Sequence, residues 1–261
     1  MRTALIVFAM AVLVLNCAGV FSALGDQAPA GASAPAAQAG FLFKSVTAEG
    51  KTLKYVEYVP RDLYLGRAVP LVVFLHGSGE CGGDGQKQLW VGIGPALIGQ
   101  AERWPCIVLI PQKPSQRAQW EEYDAAVMAM VAQAKKDHAI DAERVSLTGL
   151  SQGGHGVWSI GMRHPEMWCA LAPICGYAEM HGGGTSAGEI AAKLKGIPMW
   201  AFHGEKDTTV PPSQSRAVVD AVKGAGGDAR LSVYPDLSHV CWDRAYAEGE
   251  LPRFLMTARK K

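Results

Sequence analysis

Short apolar runs that recur along the chain constrain its fold more than any other feature. Val69 to Leu75 (VPLVVFL) is continuously apolar, as is typical of a strand buried on both faces of a parallel sheet. Five later runs repeat this signature: Cys106 to Ile110, Val145 to Thr148, Ala170 to Ile174, Met199 to Phe202 and Leu231 to Tyr234. Between these runs lie four stretches with helical spacing of apolar residues: Glu121 to Lys136, Gln152 to Arg163, Glu189 to Lys195 and Pro212 to Val222. The alternation predicts an α/β fold with a mostly parallel central sheet and helices on both faces.

Two further strands are predicted before these units. Phe41 to Thr47 and Leu53 to Val59 are strand-like, and the Glu49-Gly50 pair between them is typical of a turn. We therefore expect an antiparallel pair at the start of a single domain that covers residues 41–261.

The N-terminal residues indicate export. A charged residue, Arg2, precedes an apolar stretch from Ala4 to Leu15 and then small residues around Cys17 to Ala23, which is the order found in a secretory signal peptide. We assign residues 1–23 to a signal peptide and residues 24–40, rich in Ala, Gly, Pro and Ser, to a flexible linker. The apolar stretch is too short to span a bilayer, so no integral membrane span is expected in the mature chain. A lipoprotein anchor at Cys17 is less favoured, because Asn16 stands where a small residue is expected. The predicted location is secreted or periplasmic.

Composition argues against several kinds of partner. The formal net charge is +1, so no polyanion-binding surface and no nucleic-acid partner are expected. Beyond Cys17 the chain has five cysteines, an odd number, and the sequence does not determine which of them pair in an oxidising compartment. None has the close spacing of a zinc site, so we expect no metal and no cofactor. The oligomeric state is left open.

One pentapeptide has the context of a catalytic nucleophile. Gly149-Leu150-Ser151-Gln152-Gly153 follows a predicted strand and opens a predicted helix, as the G-x-S-x-G nucleophile turn requires. Such a turn strains the serine backbone, and small residues on either side avoid clashes. The pentapeptide predicts Ser151 as the nucleophile.

An acid and a base follow in the expected order. Asp207 comes after the strand that ends at Phe202, and His239 comes after the strand that ends at Tyr234. Loops at the carboxyl ends of parallel strands are where such sheets hold their sites. We predict that His239 accepts the Ser151 proton and that Asp207 orients His239. Glu205, in the same loop as Asp207, is a weaker alternative for the acid.

A glycine-rich loop is the candidate for binding the oxyanion. His76-Gly77-Ser78-Gly79 follows the buried strand at Val69 to Leu75, as the oxyanion loop of esterases does. One backbone N–H donor is expected from Gln152, and the other from Ser78 or Gly79, between which the sequence does not decide. His76, His155 and His203 are expected to flank the site in supporting roles.

Taken in order, five segments resemble a known branch of enzymes: His76 to Glu80, Gly149 to Gly154, Ala172 to Gly176, Trp200 to Asp207 and Tyr234 to His239. They are similar to the prolyl-oligopeptidase-like, dienelactone-hydrolase-like branch of the α/β hydrolases, over about residues 53–247. That branch includes secreted carboxylesterases, feruloyl and acetyl-xylan esterases and predicted peptidases. The resemblance implies an α/β-hydrolase catalytic domain without a large lid, with Ser151, Asp207 and His239 as the catalytic triad. Cys81 departs from the pattern, since relatives often have arginine there.

The resemblance implies a serine hydrolase that cleaves carboxylic esters through an acyl-enzyme, acting on a small-molecule or polysaccharide-linked ester. Trp90, Trp120, Trp158 and Trp242 are candidates for stacking on a sugar or phenolic ring, although most are equally suited to a core. A small serine peptidase is one alternative. A catalytically silent binding protein on a hydrolase scaffold is another, which the ordered triad disfavours.

Overall fold

The computed structural model describes residues 38–61, 67–180 and 183–260. The predicted signal peptide and linker residues 24–37 lie outside the described residues. The first strand, β1, begins at Gly40, so the last predicted linker residue already belongs to the sheet. Its φ of +100° is one that glycine adopts readily.

Eight of the described strands form one sheet. They are β1 (Gly40–Ala48), β2 (Lys51–Val59), β3 (Val69–Leu75), β4 (Ile107–Gln112), β5 (Ile140–Leu150), β6 (Ala170–Ile174), β9 (Met199–Gly204) and β10 (Ala229–Tyr234). The order across the sheet is β1-β2-β4-β3-β5-β6-β9-β10. The pairs β1–β2 and β2–β4 are antiparallel and the remaining pairs are parallel. Two short strands, β7 (Glu179–Met180) and β8 (Gly183–Gly184), form a separate antiparallel pair.

Seven described α-helices accompany the sheet. They are α1 (Ile93–Gly99), α2 (Asp124–Asp137), α3 (Gln152–Arg163), α4 (Ala187–Leu194), α5 (Ser213–Gly224), α6 (Trp242–Ala247) and α7 (Glu250–Thr257). Within the described ranges, none of the helices is both long enough and apolar enough to cross a membrane.

The apolar residues of the strands divide into two cores because successive side chains of a strand point to opposite faces of the sheet. In β3, Leu71, Val73 and Leu75 belong to one cluster, together with apolar residues of α2, α3, α4 and α5. Val72 and Phe74 belong to the other, together with apolar residues of α1, α6 and α7. Both faces of the sheet are therefore covered by helices, and the predicted fold class is confirmed.

The element predictions agree with the structure wherever apolar patterning was strong. The run Ala170 to Ile174 and the helix Gln152 to Arg163 are observed with the predicted bounds. The antiparallel pair β1–β2 is also confirmed, and both turn residues have positive φ, +47° at Glu49 and +72° at Gly50. The strand predicted from Val145 is longer, because β5 begins at Ile140.

Polar residues in the first half of β5 explain that difference. Glu143 and Arg144 lie in the strand, and Arg144 forms an ion pair with Asp141. A search for continuous apolar runs therefore does not detect the first half of β5. The helix predicted from Glu121 begins as a 3-10 turn at Trp120–Tyr123, and α2 continues it.

Candidate active site

Three predicted site residues lie at the carboxyl end of the sheet. Ser151 follows β5, Asp207 follows β9 and His239 follows β10. Because β9 and β10 are parallel neighbours, the loops that carry Asp207 and His239 leave the sheet side by side. The topology thus brings together three residues that are far apart in sequence.

Ser151 occupies a strained turn. Its φ is +53° and its ψ is −116°, a conformation that costs a non-glycine residue about 1–3 kcal/mol. Its backbone N–H donates to the Ile174 carbonyl at 2.8 Å, which ties the turn to the end of β6. A Cβ at Gly149 would lie 2.6 Å from the Gly153 carbonyl oxygen, and one at Gly153 would collide with the Leu75 carbonyl. Only glycine fits at both positions, so the strand can turn directly into α3.

The three side chains form a hydrogen-bonded chain. Ser151 Oγ lies 2.9 Å from His239 Nε2, and His239 Nδ1 lies 2.7 Å from Asp207 Oδ2. The Asp207 side chain is fully buried, whereas the His239 side chain is 18% exposed. The other carboxylate oxygen of Asp207 accepts the backbone N–H groups of Thr209 and Val210, both at 2.9 Å. The carboxylate is therefore held from both sides, and it orients the imidazole toward the serine.

The alternative acid lies elsewhere. Glu205 is exposed and forms an ion pair with Arg216 on α5. Its carboxylate is thus engaged on the protein surface, and the structure brings Asp207 to His239 instead.

The predicted oxyanion loop lies next to the serine. A Cβ on Gly77 would be 3.3 Å from the Cβ of Ser151. Ser78 and Gly79 are exposed and open a short 3-10 helix, Ser78–Glu80, while Gln152 is the buried first residue of α3. The first N–H groups of a helix have no partner within it, so such positions suit an anion. Both predicted sources of donors therefore flank Ser151, and the choice between Ser78 and Gly79 stays open.

His76 fixes the start of this loop. It is fully buried; its Nε2 accepts the Lys113 backbone N–H at 2.9 Å, and its Nδ1 donates to the Gly77 carbonyl at 2.5 Å. Trp120 Nε1 donates to the His76 carbonyl at 3.0 Å. Burial lowers the pKa of His76 to about 3. The ring is therefore a neutral structural group that needs to stay unprotonated.

This low pKa predicts acid sensitivity. Between about pH 6.5 and pH 3 the unfolded chain takes up a proton at His76 that the folded chain refuses, so stability falls as the pH falls, by up to ~1.4 kcal/mol per pH unit. We expect His76→Gln, which keeps an acceptor for Lys113 and does not titrate, to lose stability less steeply. Urea unfolding at about pH 7, 5.5 and 4.5 measures the two slopes. If the free energy of unfolding fell with pH equally steeply in both proteins, the low pKa of His76 would be contradicted.

Two further histidines support neighbouring groups. His203 is buried below Asp207, with its Nε2 3.1 Å from Asp207 Oδ2 and 2.9 Å from the Val210 carbonyl, and burial lowers its pKa. His155 stacks on Tyr177 with ring centroids 4.5 Å apart, and its Nδ1 donates to the Tyr177 carbonyl at 2.9 Å. Neither contacts the serine hydroxyl, as expected of supporting residues.

The four candidate tryptophans differ in exposure. Trp120 and Trp158 are core residues, so the structure removes them as candidates for ring stacking. Trp90 is 71% exposed. Trp242 is partly exposed and meets the His239 ring edge-on, with centroids 5.7 Å apart. Trp242 is therefore a partly exposed tryptophan in direct contact with His239.

Lys113 was missed by the sequence analysis. It follows the buried strand β4, is fully buried, and contacts Gln152 with its Nζ. A lysine shortly after the apolar run Cys106 to Ile110 was the available signal, but two of its partners, Gln152 and His76, lie 39 and 37 positions away in the sequence. The five described cysteines form no disulfide with one another. Within the described ranges, no group of three His, Cys, Asp or Glu side chains is placed to hold a metal ion.

A cavity of about 930 Å³ lies away from these residues. Its described lining includes Val69 at the amino end of β3, Pro105 just before β4, Tyr58 of β2 and Arg144 of β5. Its described lining residues include no nucleophile with a neighbouring base, so the candidate active site is the carboxyl end of the sheet.

Known proteins share this fold. A thermostable esterase is 30% identical, with a TM-score of 0.69, over 82% of this chain and 62% of that chain. A feruloyl esterase module from Clostridium thermocellum, solved with sinapinate, is 17% identical, with a TM-score of 0.63, over 85% of this chain and 90% of that chain. Among curated sequences, the "Dipeptidyl peptidase family member 1" of Caenorhabditis elegans is 25% identical over 232 residues, 76% of this chain and 28% of that protein.

The matched stretches span between 28% and 39% of the length of the curated relatives. The model of the dienelactone hydrolase family matches residues 99–248, which include Ser151, Asp207 and His239. This is more than half of the sequence, and it agrees with the α/β-hydrolase neighbours. The chain therefore belongs to the dienelactone hydrolase family.

Proposed function

We propose that this protein is an exported serine hydrolase that cleaves carboxylic esters with Ser151, His239 and Asp207. The observation that carries the proposal is the hydrogen-bonded chain from Ser151 Oγ through His239 to Asp207, with steps of 2.9 and 2.7 Å. A serine hydroxyl is a weak nucleophile until a base removes its proton, and this arrangement supplies that base. Family membership and the esterase neighbours support the same reaction class.

The first half of the reaction is acylation of the serine. His239 Nε2 takes the Ser151 proton as Oγ bonds to the ester carbonyl carbon, and the carbonyl oxygen becomes an oxyanion. The N–H of Gln152 and that of Ser78 or Gly79 hold this oxyanion, and each such donor contributes about 3 kcal/mol in the transition state. Asp207 stabilises the imidazolium. The intermediate then collapses, the C–O bond to the alcohol breaks, and His239 gives the alcohol its proton.

The second half returns the enzyme to its starting state. A water molecule gives a proton to His239 and bonds to the acyl carbon, and a second oxyanion forms in the same place. Collapse breaks the bond to Ser151 Oγ, which regains the proton from His239. The acid leaves, and the steps use no cofactor.

A small serine peptidase remains the second candidate. The similarity to a dipeptidyl peptidase family member supports it, although this chain spans 28% of that protein. The proposal favours esters because esterases are among the structural neighbours matched over most of this chain, and the feruloyl esterase module is matched over most of both chains. The acyl group could be carried by a small molecule or by a polysaccharide.

A substrate panel with an activity probe tests the proposal. The mature protein is incubated with a fluorophosphonate probe, and turnover is measured on short p-nitrophenyl esters, feruloyl and acetyl-sugar esters, and aminoacyl p-nitroanilides. We expect one label per chain on Ser151 and ester turnover well above anilide turnover. Labelling with anilide turnover alone would favour the peptidase. No labelling and no turnover would favour the silent binding protein.

Export is the part of the proposal that rests on the sequence alone. The order of charged, apolar and small residues in 1–23 supports a cleaved signal peptide. Sequencing the N-terminus of the protein recovered from the periplasm or medium of an expressing cell tests this. A mature chain that still begins at Met1 would overturn it.

A further inference from the structure

Lys113 is a fully buried lysine between the two sides of the predicted oxyanion site. Its Nζ donates to the carbonyl oxygens of Ser115 at 2.6 Å and Ala118 at 2.7 Å, and to Gln152 Oε1 at 2.8 Å. Cys81 Sγ is a fourth contact at 3.4 Å. None of these partners is a carboxylate, so carbonyl dipoles surround the cation.

The geometry calls for the charged form of this lysine. Three oxygens around Nζ use the three N–H donors of an ammonium, whereas a neutral amine would turn its lone pair toward one of them. Burial lowers the pKa of the Lys113 ammonium, while the Cys81 sulfur and, to a smaller extent, the Glu122 and Glu121 carboxylates oppose this shift. A buried cation without an ion-pair partner lowers the free energy of unfolding, so Lys113 destabilises the fold at this position.

The contacts of Lys113 reach both sources of oxyanion donors. Its Nζ holds the side chain of Gln152, whose own amide also donates to the carbonyl oxygens of Gln116 at 3.1 Å and Ala118 at 3.3 Å. Its backbone N–H donates to His76 Nε2 at 2.9 Å, and its carbonyl accepts the Gly82 N–H at 3.1 Å. One residue thus contacts Gln152 at the start of α3 and both ends of the segment from His76 to Gly82, which contains the glycine-rich loop.

We propose that Lys113 is a positioning residue for the oxyanion hole, acting through Gln152 and the loop that begins at His76. The inference rests on the proposed function, since it assigns a role within that reaction. Lys113 does not touch the substrate. It holds the Gln152 N–H and the loop N–H at the spacing that a tetrahedral oxyanion requires, and it places a positive charge behind them. Lys113 therefore stabilises the transition state and does not change the affinity for the planar ester.

A double-mutant cycle tests this role. Lys113→Met removes the cation at similar length, and Gln152→Met removes the side-chain link but keeps the backbone N–H. We expect each change to lower kcat about 10- to 100-fold with KM within about twofold, because loss of a whole donor costs about 10²- to 10³-fold. The double variant should lose little more than either single variant, since both break one link. Lys113→Arg should recover part of the loss.

A transition-state mimic separates positioning from general damage. Phenylboronic acid forms a tetrahedral adduct with a catalytic serine, so its inhibition constant should rise by about the same factor as kcat falls. Inhibition by the planar carboxylate product should not change. Lys54→Met is the matched control: Lys54 also donates to a loop carbonyl, that of Gly83 at 2.6 Å, but it is exposed. We expect wild-type kcat from it.

A folded Lys113→Met enzyme with wild-type kcat would overturn the inference, as would additive losses in the double variant. If Lys113→Met fails to fold, Gln152→Met with wild-type kcat would overturn it equally. Failure of the proposed function is a separate result: the wild-type protein would then resist both fluorophosphonate and boronate.

Discussion

Replacing Ser151 by alanine is expected to abolish fluorophosphonate labelling and to lower kcat on p-nitrophenyl esters by about 10⁵- to 10⁶-fold. The reason is that no acyl-enzyme forms without Oγ, and only the oxyanion donors and substrate binding remain to assist water. Alanine tolerates the strained backbone at φ +53° no worse than serine does. The free energy of unfolding, from urea titration, should therefore stay within about 0.5 kcal/mol of the wild-type value. Steady-state kinetics with intact-mass detection of the label measures both effects.

A nearby hydroxyl provides the matched control. Ser78 is exposed and lies in the loop beside Ser151, so Ser78→Ala keeps the backbone N–H and removes only a side-chain hydroxyl. We expect its kcat to stay within a few-fold of wild type, with full labelling. Ester turnover in Ser151→Ala at a rate near that of the wild-type protein would assign the nucleophile elsewhere.

Ser151 and its setting illustrate what local sequence can predict. The continuous apolar run before it predicts a buried strand, and the glycines at 149 and 153 predict a turn too tight for a Cβ. Both conclusions depend on residues that are close in sequence, and the structure agrees with both. The order acid before histidine placed Asp207 and His239 on neighbouring loops because parallel strands present their carboxyl ends together.

Features that depend on distant partners were not predictable in this way. Lys113 contacts Gln152 across 39 positions and His76 across 37, and no local pattern in the sequence indicates that these three residues meet. The helices α1, α6 and α7 were missed because they are short, at seven, six and eight residues, and gain their stability from packing against the sheet and each other. Which tryptophan is exposed likewise depends on how the helices dock. These features depend on tertiary contacts, which the local pattern of apolar and polar residues does not predict.

Replacing Asp207 by asparagine is expected to lower kcat about 10⁴-fold with little change in KM. Asp207 Oδ2 accepts from His239 Nδ1, and Oδ1 accepts two backbone N–H groups. An asparagine has one acceptor oxygen, so its NH₂ must face either the imidazole or those amides. If it faces the imidazole, His239 keeps its proton on Nε2 and cannot accept the Ser151 proton. If the NH₂ faces the amides instead, it meets the buried N–H donors of Thr209 and Val210 with no acceptor between them. This arrangement should also lower the free energy of unfolding by about 1–3 kcal/mol.

Glu205 provides the matched control for Asp207→Asn. Glu205→Gln changes a carboxylate two residues away by the same isosteric replacement, but its partner is Arg216 on the surface. An exposed ion pair contributes about 0–1 kcal/mol, so we expect near wild-type kcat and stability from this variant. The kinetics of the two variants, measured side by side on one ester, separate loss of a positioned carboxylate from loss of negative charge in the loop. If Glu205→Gln is the impaired enzyme and Asp207→Asn is not, the acid has been misassigned, and His239 must take its orientation from another group.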